Sequence, residues 1–235
     1  MAAKMLRLLR MRLGIAILLL AGHILAGHVW LEAQGAAPGA PNADALAKAL
    51  QQRYQTIKDF SADFVHTYRG GVLRTQTRER GTVKIKKPGK MRWVYTAPER
   101  KEFVSDGVKI YSHIPEDRQV LVSNVPPDGD ASTPALFLSG KGDISRDFTA
   151  SLVQSPVPDA TGLKLVPKRP EAQYEYFIVA TTQPGLQIRA LATHDRQGGD
   201  SVIAFMNLKE NQGIPDKEFA FRIPKGADVI TNGGN

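Results

Sequence analysis

The sequence predicts a mainly β fold with few helices: an antiparallel sheet of about ten strands that curls into an unclosed β-barrel. Three observations lead there. Period-two alternation of apolar and polar residues returns repeatedly from Phe60 onward. The connections between those stretches are short and hold Gly, Pro or Asp, leaving no room for the crossover helix a parallel pair needs. Helical patterning occurs once before the strands and once in their midst, so the helices are few and must cover a sheet face.

At the N-terminus Lys4, Arg7, Arg10 and Arg12 precede an apolar run from Leu13 to Leu31, and small residues follow at Ala33, Gly35, Ala36 and Ala37. This is the layout of an export signal over residues 1–33, cleaved after Ala33, with Ala26 as the competing site. The run approaches the roughly 20 residues that span a bilayer, so a retained anchor is the alternative; His23, His28 and the small flanking residues favour cleavage. Residues 34–42 are a flexible linker rich in Gly, Pro and Ala, and 43–235 suffice for one domain with its own core.

That domain opens with Asn42 or Asp44 as cap of a helix whose apolar stripe is Leu46, Leu50, Tyr54 and Ile57. A first strand follows, in which Phe60, Ala62 and Phe64 share a face. Gly70-Gly71 turns the chain into a second strand over 75–86, which Pro88-Gly89 ends as a hairpin. Met91, Trp93 and Tyr95 then point one way while Lys90, Arg92 and Val94 point the other. Short strands over 102–104, 108–113 and 119–123 are separated by Ser105-Asp106-Gly107 and Pro115-Glu116-Asp117. Thr133 as N-cap, Pro134 at the first helical position and Gly140 as stop define a short helix, and 143–148 add a further helical turn. Strands resume over 163–166, 174–180, 186–192, 201–208 and 218–223, with Gly198-Gly199-Asp200 marking a hairpin.

Charge and chemistry narrow the function. The chain has no cysteine, which excludes disulfides, thiolate metal sites, cysteine nucleophiles and a lipidated N-terminal cysteine. Its formal charge of +8 falls to about +5 without the leader, and the basic residues are scattered with few aromatics between them. That pattern is a solvated face rather than a nucleic-acid surface. His66, His113 and His194 lie far apart in sequence and are expected at the surface or in turns, with no metal site. Ser139-Gly140-Lys141-Gly142 lacks the leading glycine of a phosphate loop, because position 135 is Ala135. No G-x-S-x-G elbow occurs. No catalytic residue and no cofactor are therefore expected, and the inside of the barrel is the natural ligand site.

Four segments, in order, carry a family pattern. They are Phe60–Phe64; Lys87-Pro88-Gly89-Lys90-Met91-Arg92-Trp93-Val94-Tyr95-Thr96-Ala97-Pro98 with Val104-Ser105-Asp106-Gly107; Thr133-Pro134-Ala135-Leu136-Phe137-Leu138; and Phe219-Ala220-Phe221-Arg222-Ile223-Pro224-Lys225-Gly226-Ala227-Asp228-Val229. The chain resembles the LolA family of periplasmic lipoprotein carriers from Leu46 to its C-terminus. The resemblance implies an eleven-stranded unclosed antiparallel barrel, with helices forming a lid over an apolar cavity that holds lipoprotein acyl chains. It implies a periplasmic monomer that takes cargo from an inner-membrane lipoprotein-releasing ABC transporter and yields it to an outer-membrane receptor. The alternative within the fold is a sensor or binding module for another lipid or glycolipid, of the envelope-stress regulator type.

The period-two faces and the matched segments together place Phe60, Phe64, Met91, Trp93, Tyr95, Leu136 and Phe137 around that cavity. The family's arginine before the proline, which bonds lid-helix carbonyls, is replaced by Lys87. A lysine lacks the planar fork of arginine, so this residue is expected to form a looser lid latch.

Overall fold

A computed structural model describes residues 42–70, 76–126 and 134–232, without the side chains of Ala135, Leu136 and Asn232. The expected export signal, the linker as far as Pro41, the turn residue Gly71 and the Thr133 cap lie outside the described residues. No described helix is long and apolar enough to cross a membrane.

Helix α1 (Ala43–Gln55) starts where expected, with the Asn42 side chain accepting from the Asp44 N–H at 2.9 Å. Leu46, Leu50 and Tyr54 of its expected stripe are buried, as is Ile57, which lies just past the end of the helix. Six strands follow in hairpin sequence: β1 (Asp59–Arg69), β2 (Gln76–Lys86), β3 (Lys90–Ala97), β4 (Lys101–Asp106), β5 (Lys109–Ile114) and β6 (Gln119–Asn124). Helices α2 (Pro134–Leu138) and α3 (Ile144–Asp147) interrupt them. Then come β7 (Phe148–Val153), β8 (Thr161–Pro167), β9 (Tyr174–Thr181), β10 (Ile188–Asp195), β11 (Asp200–Glu210) and β12 (Asp228–Asn232).

All twelve strands form one sheet in the order β12-β6-β5-β4-β3-β2-β1-β11-β10-β9-β8-β7. The two end strands do not pair with each other, so the sheet is unclosed, as expected. It is strongly curved. Trp93 and Phe205 sit on strands three places apart, about 14 Å in a flat sheet at ~4.8 Å per strand. Their ring centroids nevertheless lie 6.2 Å apart.

The structure corrects three expectations. Among the described residues there are twelve strands rather than ten or eleven, because β7 follows α3 without a turn and β12 is a short strand near the C-terminus. The pairing is not wholly antiparallel, since β12 runs parallel to β6 with Val229 opposite Val120. Glu218–Ile223, read as a strand from the alternation of Phe219, Phe221 and Ile223, is a 3₁₀ turn (Asp216–Phe219) followed by irregular chain.

That segment packs on the outer face of the sheet instead of joining its edge. Phe219 is buried and Phe221 stacks on Tyr111 at 5.1 Å. Its backbone is bonded by sheet side chains: Arg92 Nη1 donates to the Glu218 carbonyl at 2.7 Å and Lys86 Nζ to that of Ile214 at 2.9 Å. Lys84 pairs with Glu218, and Lys86 and Lys90 with Asp216. The buried carboxylate of Asp59 anchors the start of the segment by accepting from the N–H groups of Gln212, Gly213 and Ile214. Basic residues read as a solvated face are here spent on holding the chain after β11.

Candidate ligand site

The inner face of the sheet is built in rows set by the ladder register. One row runs Phe205, Phe64, Gly81, Tyr95 across β11, β1, β2 and β3. The next runs Ala62, Val83, Trp93, Phe103, and a third Phe60, Ile85, Met91, Ser105. Gly81 explains why aromatic residues meet across a strand. Having no side chain, it lets the Phe64 and Tyr95 rings approach to 4.9 Å edge to face. A Cβ on Gly81 would lie 2.9 Å from Phe64 Cζ and 2.0 Å from the Val94 carbonyl oxygen.

Of the residues placed around the cavity, Phe60, Phe64, Met91, Trp93, Tyr95 and Phe137 join one core cluster, none more than 8% exposed. The side chain of Leu136 lies outside the described residues. Trp93 packs edge to face on Phe64 at 5.2 Å, and Phe137 bridges Tyr54 of α1, at 5.4 Å, to Phe177 of β9, at 5.9 Å. The inner face is thus filled with aromatic side chains. Clefts open elsewhere: one of about 620 Å³ by Ser61, Asp63, Lys84 and Lys209, another of about 410 Å³ by Ala47, Lys48, Ile144 and Phe148.

What covers this core is held by a few polar contacts around Tyr54. The Lys87 ammonium donates to the Tyr54 carbonyl oxygen and lies 3.4 Å above the ring centroid of the same residue. Tyr54 Oη donates to the Leu138 carbonyl at the end of α2, at 2.5 Å. Gly89 N–H donates to the Ser139 carbonyl at 2.9 Å, and the Lys87 stem lies against Gly140, whose φ of +86° suits glycine. Lys87 therefore contacts α1 through its head and the turn after α2 through its stem. Burial, reinforced by the nearby Arg53 charge, lowers its pKa to about 8. Burial also raises the Tyr54 hydroxyl well above its ordinary value, with the Glu210 charge adding to the shift.

Beyond Tyr95 the inner face turns polar. His66 Nδ1 is 3.1 Å from Glu79, its Nε2 is 2.9 Å from Ser201 Oγ, and Lys101 Nζ reaches Glu79 at 2.5 Å while lying 4.5 Å over the Tyr95 ring. Burial lowers the His66 pKa, only partly offset by the Glu79 hydrogen bond. His66 is thus an inner-face residue, not the surface or turn residue expected. Its even spacing from Phe60, Ala62 and Phe64 was the signal that could have placed it. His113 and His194 also lie on strands, against Phe221 and Tyr176.

A sequence model described as "Outer membrane lipoprotein carrier protein LolA" matches residues 55–222. An outer-membrane lipoprotein carrier protein of Chromohalobacter salexigens is 35% identical over 191 residues, covering 80% of this chain and 88% of that protein. One from Dechloromonas aromatica is 32% identical, covering 79% and 89%. Among solved structures, an uncharacterized conserved protein from Thermus thermophilus shares the fold, with a TM-score of 0.50 at 12% identity, covering 79% of this chain and 99% of that one.

Proposed function

The chain belongs to the LolA family of outer membrane lipoprotein carriers, and on that premise we propose that it carries lipoproteins through the periplasm by burying their acyl chains. The observation that carries this reading is the continuous apolar inner face beneath α1 and α2, which are fastened through Tyr54, Lys87 and the Gly89–Ser139 bond. Removing an acyl chain from a membrane forfeits about 0.8 kcal/mol per CH₂ group. A carrier must replace most of that burial, and an apolar wall that opens on lifting a short helix does so without catalytic chemistry.

In this reading the acyl chains displace α2 and lie against Phe60, Phe64, Met91, Trp93, Tyr95, Leu136 and Phe137, with Lys87 as the latch of the closed form. The protein works as a monomer, accepts cargo from an inner-membrane ABC transporter and delivers it to a receptor at the outer membrane. The test is mass spectrometry of the protein purified from the periplasm. Acylated lipoproteins are expected among the co-purifying species; recovery of only unacylated proteins or free small molecules would count against the reading.

A further inference from the structure

One donor inside the apolar face has no partner. Trp93 is 5% exposed, and among the described residues nothing accepts a hydrogen bond from its Nε1–H. A buried indole N–H normally finds an acceptor, because an unpaired donor in an apolar setting is a standing cost. Its surroundings offer none: the Phe64 and Phe205 rings lie at 5.2 and 6.2 Å, with Val83 and Phe103 opposite it on the neighbouring strands. A phenylalanine would pack here without that penalty. The other unpartnered buried side-chain atom among the described residues, Thr181 Oγ1, is a rotatable hydroxyl on β9, away from β3 in the sheet order.

We propose that Trp93 Nε1–H is the donor for a carbonyl oxygen of the acyl ligand, so that the site selects acyl esters and amides over plain alkyl chains. The inference rests on the acyl-carrier reading and adds the chemical feature recognised. A carbonyl oxygen accepts without donating, so it satisfies the indole and brings no unpaired donor into the aromatic wall. An alkyl ether offers a poorer acceptor, and a carboxylate would bring an unpaired charge into an apolar site. The neighbouring groups set an orientation. Met91 and Ile85 continue the apolar wall on one side of Trp93, and Tyr95 leads to Lys101, Glu79 and His66 on the other. The alkyl tail therefore lies toward Met91 and the polar head toward Lys101.

The test compares two probes, dioctanoylglycerol, with ester links, and dioctylglycerol, with ether links, titrated into the full chain. The ester is expected to bind roughly five- to tenfold more tightly, the worth of one hydrogen bond. Trp93→Phe should bind both probes equally, near the ether affinity of the parent protein. In ¹⁵N-labelled protein, the indole signal that Trp93→Phe removes should move downfield with the ester and stay in place with the ether, a readout that does not depend on the variant's affinity. Equal binding of the two probes by the parent protein, or a preference that survives in Trp93→Phe, overturns the assignment while leaving the carrier reading intact. Binding of neither probe overturns both.

Discussion

Lys87 places its ammonium 3.4 Å above the ring centroid of Tyr54 while donating to that same residue's carbonyl oxygen. Tyr54 in turn reaches across to the Leu138 carbonyl with its hydroxyl. One tyrosine thus ties the last turn of α1, the β2–β3 turn and the end of α2. The cation–π contact and the charged hydrogen bond use the two ends of one side chain and backbone unit, so both weaken when α1 and the β2–β3 turn separate.

Lys87→Leu is expected to loosen the cover without unfolding the domain. The Tyr54 carbonyl keeps its helix-end donor, the Ile57 N–H at 3.2 Å, so no acceptor is orphaned. Global stability should change by less than about 1 kcal/mol, while cargo release accelerates roughly two- to fivefold. Lys87→Arg should retain slow release, because the guanidinium can bond the same carbonyl with more donors. Timed transfer of a labelled lipoprotein to acceptor membranes reads both. Unchanged release in Lys87→Leu would remove this residue from the latch.

The charge on Lys87 makes the stability of the fold depend on pH. Its pKa of about 8 in the folded chain lies below the ordinary lysine value of 10.5, chiefly through burial. The folded chain therefore binds that proton less tightly than the unfolded chain. The penalty on the buried charge is fully present below about pH 8 and is relieved as pH rises to about 10.5, so stability rises with pH across that window. Urea unfolding between pH 7 and 10.5 should show a rising difference between parent and Lys87→Leu; a flat or falling difference contradicts the assignment.

Gly81→Ala is expected to destabilise the domain by about 1–3 kcal/mol or more, as overpacking does. The added methyl would meet the Val94 carbonyl oxygen at 2.0 Å and the Phe64 ring at 2.9 Å. Backbone and aromatic wall would both have to shift. A urea midpoint within error of the parent would show that this row is looser than its register implies.

Tyr54→Phe keeps the stack on Phe137 but deletes the bond to Leu138. Leaving that buried carbonyl unpaired should cost roughly 1–3 kcal/mol. Hydrogen exchange should report the loss as faster exchange of the Leu138–Gly140 amides, with strands β8 to β10 unchanged.

Most of the fold and part of the site were legible in the sequence because the information was local. Alternation at Phe60, Ala62 and Phe64, and at Met91, Trp93 and Tyr95, fixes which side chains share the inner face, and the Pro88-Gly89 turn fixes their pairing. The parallel strand β12 pairs with β6 across more than a hundred residues, and no local turn signals such a contact. Phe219 and Phe221 alternate as a strand does, yet they are recruited by Arg92 and Tyr111 to cover the outer face. Tyr54 was readable as core from its helical stripe; its reach to Leu138 and its contact with Lys87 were not, since both depend on where the later helix lands.

In the proposed carrier, the aromatic inner face receives acyl chains only when the end of α2 lifts from the β2–β3 turn. The most direct test locks the two together. A Cβ on Gly140 would lie 3.5 Å from Lys87 Cβ, within the range a disulfide bridges. The chain has no cysteine of its own to interfere. In the double variant Lys87→Cys, Gly140→Cys, binding of dioctanoylglycerol should be abolished in the oxidised form and return on reduction of the same sample. Equal binding in the oxidised and reduced forms would show that acyl chains enter without this movement of α2.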